Sequence, residues 1–407
     1  MKILQVNQFY YLRGGAERYF LDLTRALENE GHEVAVFSMD HPKNQLSPWS
    51  RYFVSRISFN KMSLKDRLKT PERVLYSREA KIKFTELLRD FKPDIIHIHN
   101  IYHHISPSIL PVARKQGIPV VMHLHDYKLI CPNQSLFMKG ASCEQCARGR
   151  YYKCLLNRCV KDSLAGSALA TVEMYLHHSI LKIYEKNIQL FIAPSEFMKR
   201  TMVRFGQEAE KIQVIYNPYS RELAEYPSEK RELKDYLLYF GRLTAEKGLE
   251  ILIRAAALSS KKTIIAGSGP HERTLRRLAE KLKAPVEFLS FQDSERLRLL
   301  LAEAEAVVIP SIWAENMPLS LLEALSLGKI VIASRIGGLP EIIKDGENGL
   351  LFRPGDSEDL TRQIKRLADI DRTAISRAAQ ETSSRFSPRK NLEEIIRTYR
   401  QLIKNPD

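Results

Sequence analysis

Nowhere in these 407 residues is there a run of roughly 18 or more uncharged apolar side chains, so the sequence offers no membrane-spanning helix. The apolar start, "MKILQVN", carries no cleavage-site pattern and reads as a buried strand, which makes a cytoplasmic protein the expectation. The dinucleotide fingerprint G-x-G-x-x-G, with an acidic residue ending the second strand, is missing. So is a D-x-D pair in a loop that would hold a divalent cation. Asp369 and Asp371 have that spacing, but their polar surroundings near the C-terminus read as a solvated helix end. No catalytic metal is therefore predicted. Cysteine is absent outside residues 131–159.

What is present fits a globular protein: 44% hydrophobic and 27% charged residues, too apolar for extensive disorder. A chain this long exceeds one ordinary core, so two domains are expected. The net charge of +15 is uneven. Residues 1–217 hold 32 Lys and Arg against 20 Asp and Glu, and residues 218–407 hold 31 against 28. The densest part, 51–92, mixes 12 basic and 5 acidic residues with Ile57, Phe59, Met62, Leu64, Leu68, Val74 and Leu75. Cations among bulky apolar side chains suit the interface of an anionic membrane better than a DNA groove, and no nucleic-acid partner is expected. A soluble basic face has the same composition.

Apolar runs alternate with amphipathic stretches along the whole chain. Strands are predicted at 3–6, 34–38, 95–98, 120–124, 190–193 and 212–215, then at 237–241, 263–266, 307–309, 330–333 and 349–352. Helices are predicted at 16–29, 78–91, 173–187, 247–258, 271–282, 294–304, 318–327 and 357–368. This alternation predicts an α/β fold of two doubly wound parallel-sheet domains in tandem. The boundaries fall at 1–217 and 218–385, around a charged linker at 216–235, with a helical tail 386–407 that can cross back to the first domain. Ligands of such sheets bind beyond the carboxyl ends of the strands, so two facing domains make a cleft.

Gly14 and Gly15 follow the first strand and open the first helix. They either make a tight turn or let backbone amides approach an anion. In "YFGRLTAEKG" (239–248), Arg242 and Lys247 stand in the loop after a strand, placed for a diphosphate or for solvent. Gly267 and Gly269 of "AGSGP" follow the next strand and serve a turn or a flat ligand. In "ENMPLSLLE" (315–323), Pro318 suits the first turn of a helix and Asn316 a cap before it. That leaves Glu315 in a loop facing the cleft and Glu323 inside the helix, too far apart to share a proton.

"GRLTAEKG", "AGSGP", "ENMPLSLLEALSLGKIVIASRIGGLPEII" and "DGENGLLFRPGD", in this order, closely resemble the retaining GT-B glycosyltransferases of family 4. The resemblance spans nearly the whole chain and is strongest over 237–365. It implies transfer of a sugar from a nucleotide-diphosphate donor, held mainly by the second domain, without a cofactor for catalysis. By that resemblance Arg242 and Lys247 bind and stabilise the departing diphosphate, Glu315 contacts the donor sugar and Glu323 the ribose. Asn316 and the amides after it, at Met317 and Leu319, touch sugar and phosphates, while Gly14 and Gly15 close over the donor. His125, in "HLHDY", matches the position that faces the transferred sugar. Met317 and Pro318 stand where many members have an aromatic residue and glycine. Pro318 cannot donate an amide, and Met317 is expected to be buried.

The basic first half then implies a peripheral enzyme on the inner face of the cytoplasmic membrane, with a lipid-linked or glycan acceptor for the envelope. A nucleotide-sugar 2-epimerase of the same fold is the alternative within enzymes. A basic nucleic-acid-binding protein is the alternative outside them, but it leaves 237–365 without a purpose. Cys131, Cys143, Cys146, Cys154 and Cys159 crowd an insertion at 128–162 beside the acceptor side of the cleft. A structural zinc, an iron–sulfur centre or unliganded thiols are the possible readings, disulfides being disfavoured in the cytosol. His97 and His99 alternate along a strand and read as core residues stacked on one face.

Overall fold

The computed structural model of the chain describes residues 1–57, 64–220, 222 and 233–404. Part of the basic segment, most of the charged linker and the last three residues therefore lie outside the described residues.

Two six-stranded parallel sheets organise the fold. The first runs β2-β1-β3-β4-β7-β8, from β1 (Lys2–Val6), β2 (Glu33–Phe37), β3 (Ile95–Ile98), β4 (Val120–His123), β7 (Leu190–Ala193) and β8 (Ile212–Val214). The second runs β11-β10-β9-β12-β13-β14, from β9 (Lys234–Phe240), β10 (Thr263–Ala266), β11 (Val286–Leu289), β12 (Ala304–Ile309), β13 (Ile330–Ser334) and β14 (Leu350–Phe352). Between the fourth and fifth strands of the first sheet, β5 (Phe137–Met138) and β6 (Ala141–Ser142) form a short hairpin. "IIHI", "VVMH" and "IVIAS" are buried at every position, as strands covered by helices on both faces must be.

Each sheet reverses its winding once, between β1 and β3 in the first and between β9 and β12 in the second. The loops after those strands open the crevice where doubly wound sheets bind ligands. After β9 comes the loop with Arg242 and Lys247, and after β12 the loop with Glu315. A backbone bond from Ile312 N to Glu246 O (3.0 Å) ties the two loops together. The last helix, Pro388–Lys404, returns to the first sheet and buries Ile395 and Tyr399 against Ile3, Tyr19, Val121 and Ile192.

Three sequence expectations need correction. The stretch 173–187 is not one helix. It comprises the end of Leu164–Met174, a wide turn at Tyr175–Ile180 and a separate helix Ile183–Asn187, split where Lys182 takes left-handed backbone (φ 48°). The edge strand β11 went unpredicted because none of its residues is fully buried. Asn316 is not a helix cap: Pro318, in extended backbone, occupies that position before the helix Leu319–Ser326.

Candidate active site

Lys247 and Glu315 meet in the crevice of the second domain. Lys247 Nζ lies 2.6 Å from Glu315 Oε1, which also accepts from Ser311 Oγ at 2.5 Å. Burial pushes the Glu315 carboxyl up, but the Lys247 charge, its hydrogen bond and that of Ser311 outweigh it and hold the acid below its ordinary range. Glu315 does not stand open in a loop, since only 3% of its surface is exposed. Lys247 also lies over the Trp313 ring, 5.4 Å from its centroid. Its charge is thus fixed in place and partly neutralised. Arg242, by contrast, is 61% exposed, and among the described residues its salt bridge is a long one, to Glu246 at 3.9 Å. It is the available guanidinium of the site.

Gly267 and Gly269 serve backbone approach. A Cβ on Gly267 (φ 146°) would sit 1.9 Å from Gly241 O, and one on Gly269 2.3 Å from Leu243 O. These glycines let the 267–269 loop lie on the loop carrying Arg242, joined by Leu243 N to Ser268 O at 2.9 Å. Met317 turns into the core of the second domain.

From the first domain, Gly14 precedes the helix Gly15–Asn29 in extended backbone, and the Cβ position of Gly15 lies 3.7 Å from Leu319 across the crevice. In the first turn of that helix sits Glu17, which the sequence reading passed over. Burial pushes its carboxyl up, while the amides of Glu17 and Gly14 and the guanidiniums of Arg13 and Arg242 pull it down. Burial prevails, so the Glu17 carboxyl sits above its ordinary value at the helix N-terminus, within the field of Arg242. On the same helix, Arg18 and Asp22 act on Glu323 by charge. Burial raises the Glu323 carboxyl to about 7, with Arg18 lowering it and Asp22 raising it.

His125 closes the floor. Its Nε2 lies 2.8 Å from His99 Nδ1, and His99 Nε2 lies 2.8 Å from Gln5 Oε1. With the Gln5 oxygen accepting, His99 donates through Nε2, His125 donates to His99, and His125 Nδ1 is left as an acceptor. Burial drops His125 to about 3, so the ring is neutral at physiological pH. His97, His99, His123 and His125 form one stacked group, with neighbouring centroids such as His97–His99 and His123–His125 at 4.4 and 4.5 Å.

Asn316 latches the domains together. Its Nδ2 donates to Leu124 O (3.1 Å), and its Oδ1 accepts from Ser195 Oγ (3.1 Å). Tyr127 Oη donates to Ala314 O (2.8 Å) beside it, and Glu341 pairs with Arg200 (2.8 Å). The bonds cross between residues more than a hundred positions apart, and no local pattern announces them.

All five cysteines line one small cavity with Pro132, Leu136 and Phe137. Among the described residues, no three histidine, cysteine or carboxylate side chains already stand as a metal site. Nor is any helix among them long and apolar enough to cross a membrane.

Two facing parallel sheets with a cation pair and buried carboxylates at the switch points define a GT-B glycosyltransferase. Family models agree over both halves: "Glycosyltransferase Family 4" matches residues 13–223 and "Glycosyl transferases group 1" residues 220–382. The chain belongs to glycosyltransferase family 4. It is 26% identical over 362 residues to an uncharacterized 42.6 kDa protein in the cps region of Klebsiella pneumoniae, covering 84% of this chain and 87% of that one. Among solved structures, Anabaena Alr3699/HepE in complex with UDP and glucose superposes with a TM-score of 0.69 at 21% identity, over 99% of this chain and all of that one. The apo lipopolysaccharide outer core galactosyltransferase WaaB superposes with a TM-score of 0.62 at 18% identity, over 98% and 99%.

Proposed function

We propose that this glycosyltransferase moves a hexose with retention of configuration, from a nucleotide-diphosphate sugar to a lipid-linked or glycan acceptor of the cell envelope, without a catalytic metal. The observation carrying this reading is the pairing of Lys247 with buried Glu315 beside the exposed Arg242, at the switch point of the second sheet. Arg242 and Lys247 take the diphosphate charge that grows as the glycosidic bond breaks, the work a divalent ion would otherwise do. Glu315, ionised and fixed by Lys247, accepts from hydroxyls of the donor sugar. Glu323 accepts from the ribose, and Gly14 and Gly15 bring amides over the phosphates. Neutral His125 accepts a sugar hydroxyl at Nδ1. With the leaving group stabilised, the remaining task is to hold the acceptor hydroxyl on the face the diphosphate vacates.

The membrane part of the proposal has its own support. Tyr152, Leu156, Leu164, Val172 and Ile180 are exposed large apolar side chains within 29 residues, among exposed Arg158, Lys161 and Lys182. His177 Nε2 bonds Leu75 O at 2.7 Å, which brings the helix Leu64–Tyr76 alongside. Apolar side chains ringed by cations suit an anionic membrane on the inner face of the cytoplasmic membrane. The envelope acceptor draws on the relatives, WaaB above all.

A thermal-shift panel of UDP-, GDP- and ADP-sugars in a chelator tests the donor. Stabilisation by one donor, lost in Glu323→Ala, supports the reading, and silence from all of them removes it. Flotation with anionic and neutral vesicles, at low and high salt, tests the membrane separately.

A further inference from the structure

We propose that four of the five cysteines of the 128–162 insertion bind one zinc ion as thiolates, in a structural centre that holds the insertion onto the first domain. Every cysteine of the chain is here, and all five side chains reach one cavity although they come from different local structures. Cys131 ends a turn off the core, with its amide bonded to Tyr127 O at 2.8 Å. Cys143 follows the β5–β6 hairpin, its amide bonded to Leu136 O at 2.7 Å, and Cys146 completes the C-x-x-C. Cys154 lies on the five-residue helix Tyr152–Leu156, and the Cys159 amide bonds Cys154 O at 3.1 Å.

The rest of the insertion supplies little that would hold such a shape. Its regular structure is two two-residue strands, one turn of 3-10 helix and one five-residue helix. Seven of its non-glycine residues take left-handed backbone: Gln134, Leu136, Lys139, Arg148, Arg158, Lys161 and Asp162. A module this small, with so many unfavourable backbone positions, needs an added staple, and soft sulfur ligands in this number select zinc.

The five cysteines line one cavity, but among the described residues no three of their sulfurs stand at ligand geometry, so binding draws the thiols together around the ion. Cys131 Sγ lies 2.9 Å from Asn133 Oδ1 and Cys159 Sγ lies 3.6 Å from Met138 Sδ. On binding, four S–H groups release their protons to solvent and four Zn–S bonds form, leaving a dianionic centre. Lys139, Arg148, Arg150, Lys153, Arg158 and Lys161 surround that charge in the sequence, against Glu144 and Asp162.

The insertion begins at Lys128, next to Tyr127 and two residues after His125–Asp126, and it also walls a second cavity. Leu136, Ser142 and Glu144 line this with Phe197 and Arg204 on one side and Ala314 and Gly337 of the donor domain on the other. A zinc centre would thus hold one wall of the inter-domain crevice, whatever sugar is transferred there.

Elemental analysis of protein purified without chelator tests this, with about one zinc per chain expected. A mercurial thiol reagent should release that zinc to a chromophoric chelator. Cobalt exchanged into the wild-type protein should show the thiolate charge-transfer and intense d–d bands of a tetrahedral sulfur site. Single Cys→Ser changes should abolish binding at four positions and spare it at one. Metal-free folded protein whose five thiols all react freely would overturn the proposal. So would iron with a visible chromophore, a disulfide found by mass spectrometry, or zinc retained in all five variants. Because the wild-type measurements stand alone, a variant that fails to fold leaves the test decisive.

Discussion

Replacing Lys247 by methionine removes the ammonium 2.6 Å from a carboxylate that is only 3% exposed, leaving Ser311 Oγ, with a smaller contribution from Trp313, to hold it. Breaking a buried pair from one side costs about 3–5 kcal/mol, and the surviving Ser311 bond puts Lys247→Met near the lower end, at about 3 kcal/mol. The effect depends on pH with a definite sign. In the wild type, Glu315 sits below its ordinary 4.5, so its pair stabilises the fold above that value and the benefit fades as pH falls through the folded value. In Lys247→Met, burial dominates and lifts the acid, so the cost is greatest at neutral pH and vanishes once the carboxyl is protonated. The gap between the two proteins should therefore close toward acid. Urea unfolding in a Trp49→Phe background, followed by Trp313 fluorescence, reads the loop that carries the pair where it packs against the first domain, since these are the two tryptophans. The double variant Lys247→Met/Glu315→Gln should recover most of the loss. Equal stability of Lys247→Met and wild type at every pH would refute the buried-pair argument.

Glu323, raised from 4.5 to about 7, destabilises the fold by an amount that is absent below pH 4.5 and complete above 7. Glu323→Gln should thus gain on wild type across that window by up to about 3 kcal/mol at neutral pH, measured by urea unfolding. Glu17→Gln removes a carboxylate from the field of Arg242 and should tighten nucleoside-diphosphate binding several-fold by calorimetry; unchanged affinity would remove Glu17 from the site. Asn316→Ala deletes both latch bonds and should cost about 1–3 kcal/mol and enlarge the radius seen by small-angle scattering. Gly267→Ala should lower the melting temperature and weaken donor binding together, because its Cβ collides with Gly241 O and pushes the Arg242 loop away.

Where burial alone decides, the sequence speaks clearly. "AVVI" and "IVIA" could only be interior strands, and the loops after β9 and β12 follow from the order of the elements. β11 escaped notice because a half-exposed edge strand has no continuous apolar run. The site was legible to the extent that a residue acts from its own loop. Arg242, Lys247 and Glu315 were each picked out from their own loops, but the salt bridge of the last two spans 68 positions. Asn316 looked like a cap because Asn before Pro is a local signal, while its partners Leu124 and Ser195 are contributed by the other domain. Glu17 carried no signal of its own in the sequence. It becomes interesting only when Arg242 arrives opposite. Cysteine crowding was plain in the sequence, whereas the shared cavity depends on how the hairpin and the short helix fold over Cys131.

The central claim is that the crevice holds a nucleoside diphosphate through protein cations. Arg242 tests it most directly, because its side chain is 61% exposed and its ion pair, with Glu246, is a long one at 3.9 Å. Calorimetric titration of UDP, GDP and ADP in excess chelator, into wild type and Arg242→Ala, is the measurement. The account predicts binding of one nucleotide by the wild type and affinity at least about tenfold weaker in the variant, the scale of a charge-assisted contact. Binding that needs a divalent ion, or that is equal in the two proteins, would contradict it.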